Sequence, residues 1–300
     1  MISKNAGALI VGAVIGTAGL LLTLPEPSTY AMTRSPQCAE ALQSPELRAR
    51  AAYVEDLTTG AVLYKLNDET QLPIASLTKL LTVLTALPLV PQSVPIDARA
   101  LAEDGEDGLR AGDQWVAVDL ARFVLIESSN DGAAALAFAA EQNGNGKGAF
   151  IAAMNRRAQA LELPQTFVLN ETGLDMSKSM AGAYGSARDM AHLIAAAVRL
   201  APDVTQRSTT RVWDVTSASG RVYAARNTTP LPSQLSGAIA SKTGYTDLAG
   251  GNLALVVEVL PGRPVALAVL GSTRAGRETD AQALIEYATL ELKRRAACTL

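Results

Sequence analysis

The chain has 300 residues, 48% of them hydrophobic, and its 29 acidic and 26 basic side chains leave a net charge of −3. That length holds one large domain or two small ones, and the apolar content supports a substantial core and excludes disorder as the main state. With no dense run of Lys and Arg and only 4% aromatic residues, nucleic acid is excluded as a partner. From Ala6 to Leu24 the chain is uncharged, preceded by Lys4. Such a run can just span a bilayer or serve as a signal-peptide core, and the positive charge before it favours a cytoplasmic N-terminus and an exported body. Thr29-Tyr30-Ala31 is a weak small-residue cleavage site, so residues 1–31 are read as a signal or anchor, with 6–24 as the only membrane contact. Residues 32–48 form a polar, Pro-containing linker, and 49–300 the folded body.

Within that body, residues 51–56 and 61–66 read as strands joined by Leu57-Thr58-Thr59-Gly60. Just after Pro73 a helix is expected from near Ala75 to about Leu87, where Pro88 stops it. Apolar residues recur at helical spacing over 118–127, 131–142, 148–161 and 186–200. Strands return at 209–215 and 221–226 around Ala218-Ser219-Gly220, and at 253–260 and 265–271 around Pro261-Gly262-Arg263-Pro264. A last helix runs roughly from Gly276 to Arg295. This order implies an α/β (α+β) fold. Strands from both ends form one antiparallel sheet covered by the terminal helix, the helical insertion is a second lobe, and the cleft between lobes is the expected site.

Two cysteines, Cys38 and Cys298, stand one near each end. No Cys-x-x-Cys pair and no Cys/His cluster accompanies them, so a structural zinc site is not expected. They are either two unrelated thiols or a disulfide tying the chain ends together, which requires an oxidising compartment and adjacent termini.

His192 is the single histidine. A zinc peptidase needs two or three, and a Ser–His or Cys–His enzyme would have to use this one, which lies in a helix with no glycine elbow near it. A hydrolase built from these residues would use lysine as its base. Ser76-Leu77-Thr78-Lys79 offers one, at a helix start where residues i and i+3 share a face and backbone N–H groups favour a developing oxyanion. Alone the pattern is weak, since composition gives about one Ser-x-x-Lys per chain of this length. Two further motifs change its weight. Ser128-Ser129-Asn130 falls between two predicted helices, where a turn can present Ser128 and Asn130 into a cleft. Lys242-Thr243-Gly244 precedes a predicted strand and combines a positive charge, a hydroxyl and a residue without a side chain to obstruct a substrate on a strand edge.

In this order the three motifs resemble those of the serine D-alanyl-D-alanine carboxypeptidases, the low-molecular-mass penicillin-binding proteins. Similar stretches surround them: 74–79, 125–131, 170–174, 186–190, 226–230 and 242–250, so the likeness spans about residues 51–272. The resemblance implies a β-lactamase/penicillin-binding-protein-like fold, with an antiparallel sheet flanked by helices plus a helical lobe. It implies that Ser76 attacks the D-Ala carbonyl while Lys79 takes its proton, and that Ser128 relays a proton to the leaving amine. Asn130 would hold the substrate amide and help fix Lys79. Lys242 and Thr243 would receive the substrate carboxylate, beside Gly244 and the Tyr245 N–H, which with the Ser76 N–H forms the oxyanion hole. Implied partners are peptidoglycan stem peptides, with β-lactams as acylating inhibitors and no metal or organic cofactor. The implied place is outside the cytoplasm: at the outer face of the cytoplasmic membrane, or in periplasm or cell wall.

The chain is expected to lack the second, β-rich domain and the C-terminal amphipathic helix of well-known members, which leaves the N-terminal segment as the expected tether if it is not cleaved. Three alternatives stay open: a D,D-endopeptidase cutting cross-links, a non-catalytic penicillin-binding sensor, and a class A β-lactamase. The last needs a Glu-x-x-x-Asn stretch after the second motif, yet the residue four after Glu162 is Thr166.

Overall fold

The computed structural model describes residues 12, 42–101, 108–146, 148–229 and 237–298. Strands β1 (Ala51–Asp56) and β2 (Ala61–Leu66) are followed by the short β3 (Leu72–Pro73), a 3-10 turn over Ala75–Leu77, and helix α1 (Thr78–Ala86). The helical lobe continues with β4 (Ser93–Pro95), β5 (Gln114–Val116), α2 (Ala117–Ile126), α3 (Asn130–Ala140) and α4 (Ala149–Ala160). Next come β6 (Phe167–Val168), β7 (Ala183–Gly185), α5 (Ala187–Leu200), α6 (Pro202–Thr205) and the hairpin β8 (Val212–Thr216) and β9 (Val222–Arg226). The chain returns to the sheet through β10 (Ala238–Thr246), β11 (Gly250–Leu260) and β12 (Arg263–Ser272), and closes with α7 (Gly276–Cys298).

The main sheet is antiparallel with the order β10-β11-β12-β1-β2, so both ends of the described body do meet in one sheet. Its two faces follow the two-residue period of a strand. Leu253, Leu255 and Val257 of β11, with Val265, Leu267 and Val269 of β12, pack beneath Ala281, Leu284, Ala288 and Leu292 of α7. The alternate residues, Ala254, Val256, Ala266, Ala268 and Leu270, join the core shared with α5 and the lobe. The alanines on that face let α5 approach closely. Every residue of α1 is buried, Lys79 included, in a helix otherwise apolar or neutral and enclosed by neighbours.

Two expectations are corrected here. The hairpin at 209–226 does not join the sheet: β8 and β9 form a separate ribbon. Its inward residues find a better partner in the lobe, where Tyr223 packs 5.0 Å from Trp115 and its hydroxyl donates to Asp113. Further, Lys242-Thr243-Gly244 does not precede a strand but lies inside one, the edge strand β10, which composition alone had not marked as a strand.

Cys298, the last residue of α7, is disulfide-bonded; Cys38 lies outside the described residues, as does the 6–24 segment apart from Gly12. Among the described residues no helix is long and apolar enough to cross a membrane.

Leu255 is fully buried between sheet and α7. Leu255→Ala should cost about 2–5 kcal/mol of stability, read from chemical denaturation; a loss below about 1 kcal/mol would show that this layer collapses around the cavity.

Candidate active site

The first motif is placed by strain and by tight helical geometry. Ala75 has φ +48°, unusual for a residue with a side chain, and a 3-10 turn follows in which residues three apart eclipse one another. Lys79 Nζ therefore reaches back to Ser76 Oγ at 2.9 Å. Its other contacts come from distant parts of the chain: Asn130 Oδ1 at 2.7 Å and the Thr172 carbonyl at 3.0 Å. Lys79 is completely buried.

The second motif occupies the α2–α3 corner. Ser129 is the N-cap of α3, its hydroxyl accepting from the Gly132 N–H at 2.8 Å, while Ser128 is held at φ +64°. The corner is gripped by the end of the ribbon. The Arg226 N–H donates to the Glu127 carboxylate, and the Thr228 N–H to the Ile126 carbonyl at 3.3 Å.

On β10, Lys242 Nζ donates to Ser128 Oγ at 2.8 Å and to the Thr243 carbonyl at 3.0 Å. Burial, then the charges of Lys79 and Arg277, push the Lys242 ammonium well below the ordinary lysine range. Thr243 Oγ1 lies 2.6 Å from Thr228 Oγ1. Gly244 is required where it stands. A Cβ there would meet the Ile74 carbonyl oxygen at 2.9 Å and Ser76 N at 3.1 Å, so the glycine lets β10 lie against the Ser76 turn. Tyr245 is 40% exposed, with the Arg274 guanidinium 4.5 Å above its ring.

The three motifs thus converge on a cavity of about 610 Å³ lined by Ser76, Ser128, Thr243, Gly244 and Tyr245 among others. Lys79 and Lys242 stand behind this lining, touching the Ser76 and Ser128 hydroxyls, and Asn130 joins them through Lys79. Sequence reasoning missed three contributors. Thr172 acts through its carbonyl, which no side-chain pattern signals. Thr228 lines the cavity within the 226–230 stretch, to which the three motifs assign no role. Arg277, buried at the start of α7, donates to the Gly244 carbonyl at 3.1 Å and lines the same cavity. Only the packing of α7 across β11 and β12 brings its first turn there.

His192 is elsewhere. Its Nε2 lies 2.8 Å from Glu55 Oε2, in a separate groove of about 1020 Å³ that also contains Glu162. Neither residue lines the serine cavity. Among the described residues no cluster of three or more His, Cys, Asp or Glu could hold a metal ion.

A family model described as D-alanyl-D-alanine carboxypeptidase matches residues 38–273. The chain belongs to this family. It is a serine-type hydrolase of D-Ala-D-Ala peptides, and the family's place of action is the cell wall, outside the cytoplasm. A D-alanyl-D-alanine endopeptidase of Pseudomonas aeruginosa is 33% identical over 241 residues, covering 77% of this chain and 74% of the relative. The structure is similar to a D-alanyl-D-alanine carboxypeptidase from Mycobacterium tuberculosis, with TM-score 0.72, 25% identity and coverage of 83% and 94%. It is also similar to penicillin-binding protein D2 from Listeria monocytogenes in its cefotaxime-bound form, with TM-score 0.68, 25% identity and coverage of 82% and 99%.

Two outcomes follow from this geometry. Gly244→Ala should abolish acylation of the protein by a labelled β-lactam while leaving its fold intact by circular dichroism; full labelling would mean that β10 can shift away from Ser76. The second outcome concerns Lys242. A lysine whose native value lies below its unfolded one opposes folding wherever the unfolded chain alone holds the proton. Stability then rises with pH up to the ordinary value near 10.5. Relative to Lys242→Met, the wild type should gain stability from about pH 8 to about pH 10 in denaturant titrations, and a flat difference would show an ordinary lysine.

Proposed function

We propose that Ser76 is the nucleophile, Lys79 its general base, and the cavity between β10 and the α2–α3 corner the binding site for a D-Ala-D-Ala peptide end. The observation that carries this reading is the set of three contacts at Lys79 Nζ. In a neutral amine the two N–H bonds satisfy Asn130 Oδ1 and the Thr172 carbonyl, which leaves the lone pair directed at the Ser76 hydroxyl. Lys79 takes that proton as Ser76 Oγ bonds to the carbonyl carbon. The N–H groups of Ser76 and Tyr245 receive the oxyanion. Ser128, backed by Lys242, returns a proton to the departing amine as the C–N bond breaks, and water then cleaves the ester.

The carboxylate of the leaving residue finds the Thr243 and Thr228 hydroxyls and the Arg277 guanidinium on one side of the cavity. A terminal D-Ala and the D-centre of a cross-linking residue both carry a carboxylate on the carbon bearing the leaving amine, so the same receptor serves either. Carboxypeptidase action is the first reading. Endopeptidase action is the second, favoured by the Pseudomonas relative. A β-lactam carries an equivalent carboxylate and strained amide and would acylate the same serine. Residues 49–300 form the proposed catalytic unit, with Cys38, the only other cysteine, as the partner of Cys298 and with 6–24 as the membrane contact.

Labelling with a fluorescent penicillin, wild type beside Ser76→Ala on a denaturing gel, tests the assignment. A covalent band lost only in the variant is expected, together with release of D-Ala by the wild type. A labelled wild type that releases nothing would favour the sensor, and a labelled Ser76→Ala protein would move the nucleophile elsewhere.

A further inference from the structure

Arg277 and Glu278 stand in the first turn of α7 and both line the serine cavity, where Glu278 is the only acidic residue among the described lining. Arg277 Nε donates to Glu278 Oε1 at 2.9 Å, and the two side chains are only 8% and 16% exposed. Consecutive residues of a helix do not ordinarily face each other, so these side chains must turn toward one another to meet. A carboxylate in the first turn also suits the helix dipole, but that role requires neither contact with Arg277 nor a place in the cavity.

Backbone carbonyls hold the far end of the guanidinium. Nη1 donates to Gly244 at 3.1 Å and Nη2, more weakly, to Thr228 at 3.5 Å. Of the five N–H bonds in this rigid plane, one on each terminal nitrogen is left without a protein acceptor among the described residues. Two such N–H bonds match a carboxylate. Arg277 is also buried close enough to Lys242 for its charge to act there, beside that of Lys79. Repulsion among these cations favours turning the arginine outward to water, and the Glu278 carboxylate offsets it.

We infer that Glu278 is the positioning residue of the carboxylate receptor: it fixes the plane of the Arg277 guanidinium so that the two remaining N–H bonds are presented to the substrate carboxylate. Recognition then depends on directed hydrogen bonds and not on net positive charge. This rests on the active-site reading above and adds a residue that acts through Arg277 without touching the substrate.

The test compares two synthetic peptides, one ending in D-Ala-D-Ala with a free carboxylate and one with that end amidated, as substrates of the full chain. In Glu278→Ala the preference for the free carboxylate should fall roughly five- to tenfold, carried by KM more than by kcat. Glu278→Gln should recover most of it, because the amide oxygen still accepts from Nε. The Glu278→Ala/Arg277→Ala protein should lose no more than Arg277→Ala alone, since the glutamate acts through the arginine. Circular dichroism and endpoint labelling by saturating penicillin check that each variant is folded with its nucleophile intact. An unchanged preference in Glu278→Ala, a Gln variant no better than the Ala one, or losses that add in full would overturn the inference. A wild type that cleaves both peptides equally, or an Arg277→Ala protein that keeps the wild-type preference, would overturn it together with the carboxylate receptor while leaving Ser76 assigned. A wild type neither labelled nor active would overturn both readings.

Discussion

The constraint on which the structure turns is the burial of two lysines side by side, Lys79 and Lys242, with essentially no solvent on either. Removing an ammonium from water is costly unless every proton finds an acceptor. The hydrogen-bond partners come from separate elements: Ser76 and Thr243 lie near their own lysines, while Asn130, Ser128 and the Thr172 carbonyl arrive from the lobe and the loop before β7. Satisfying the lysines therefore holds α1, the α2–α3 corner, the 170–182 loop and β10 in one arrangement. The geometry proposed for catalysis is the same arrangement.

Much of the remaining polar architecture braces these parts. The Asn252 side chain donates to the Pro73 carbonyl just ahead of the serine turn and accepts from the Gly271 N–H, binding the turn to the sheet. Thr82 donates to the Glu171 carbonyl at 2.6 Å, fixing the loop that presents Thr172. Gly173, at φ +77°, lies so close to Ala75 that a Cβ would sit 2.0 Å from its carbonyl oxygen. The positive φ of Ala75 and Ser128 marks where strain is stored, next to Ser76 and at the hydroxyl across the cavity from it, and the surrounding packing holds it.

The ribbon β8–β9 shows how a local signal can be right while its tertiary meaning is missed. Two strands around a Ser-Gly turn were legible, but strand pairing was decided by side chains in the lobe, since Trp115 and Asp113 offer Tyr223 both a tilted ring contact and a hydrogen-bond acceptor. Released from the sheet, the ribbon's end clasps the α2 C-terminus and delivers Thr228 beside Thr243. That placement contributes a wall of the cavity.

The sequence by itself determined the elements whose period or punctuation is local: the first hairpin at 51–66, the helices of the lobe to within a few residues, and the last helix from Gly276. It also pointed to a serine hydrolase, because three ordered Ser/Lys, Ser/Asn and Lys/Thr/Gly motifs beside a single histidine resemble those of one family, and that family is the one the chain belongs to. Tertiary structure alone decided that Lys-Thr-Gly lies within an edge strand, that a backbone carbonyl at Thr172 completes the Lys79 site, and that Arg277 lines the cavity. The reason is physical in each case. A strand flanked on one side by β11 and on the other by the serine turn owes its extension to long-range pairing, a carbonyl carries no residue-specific signal, and Arg277 meets Gly244 only because α7 folds back along the sheet.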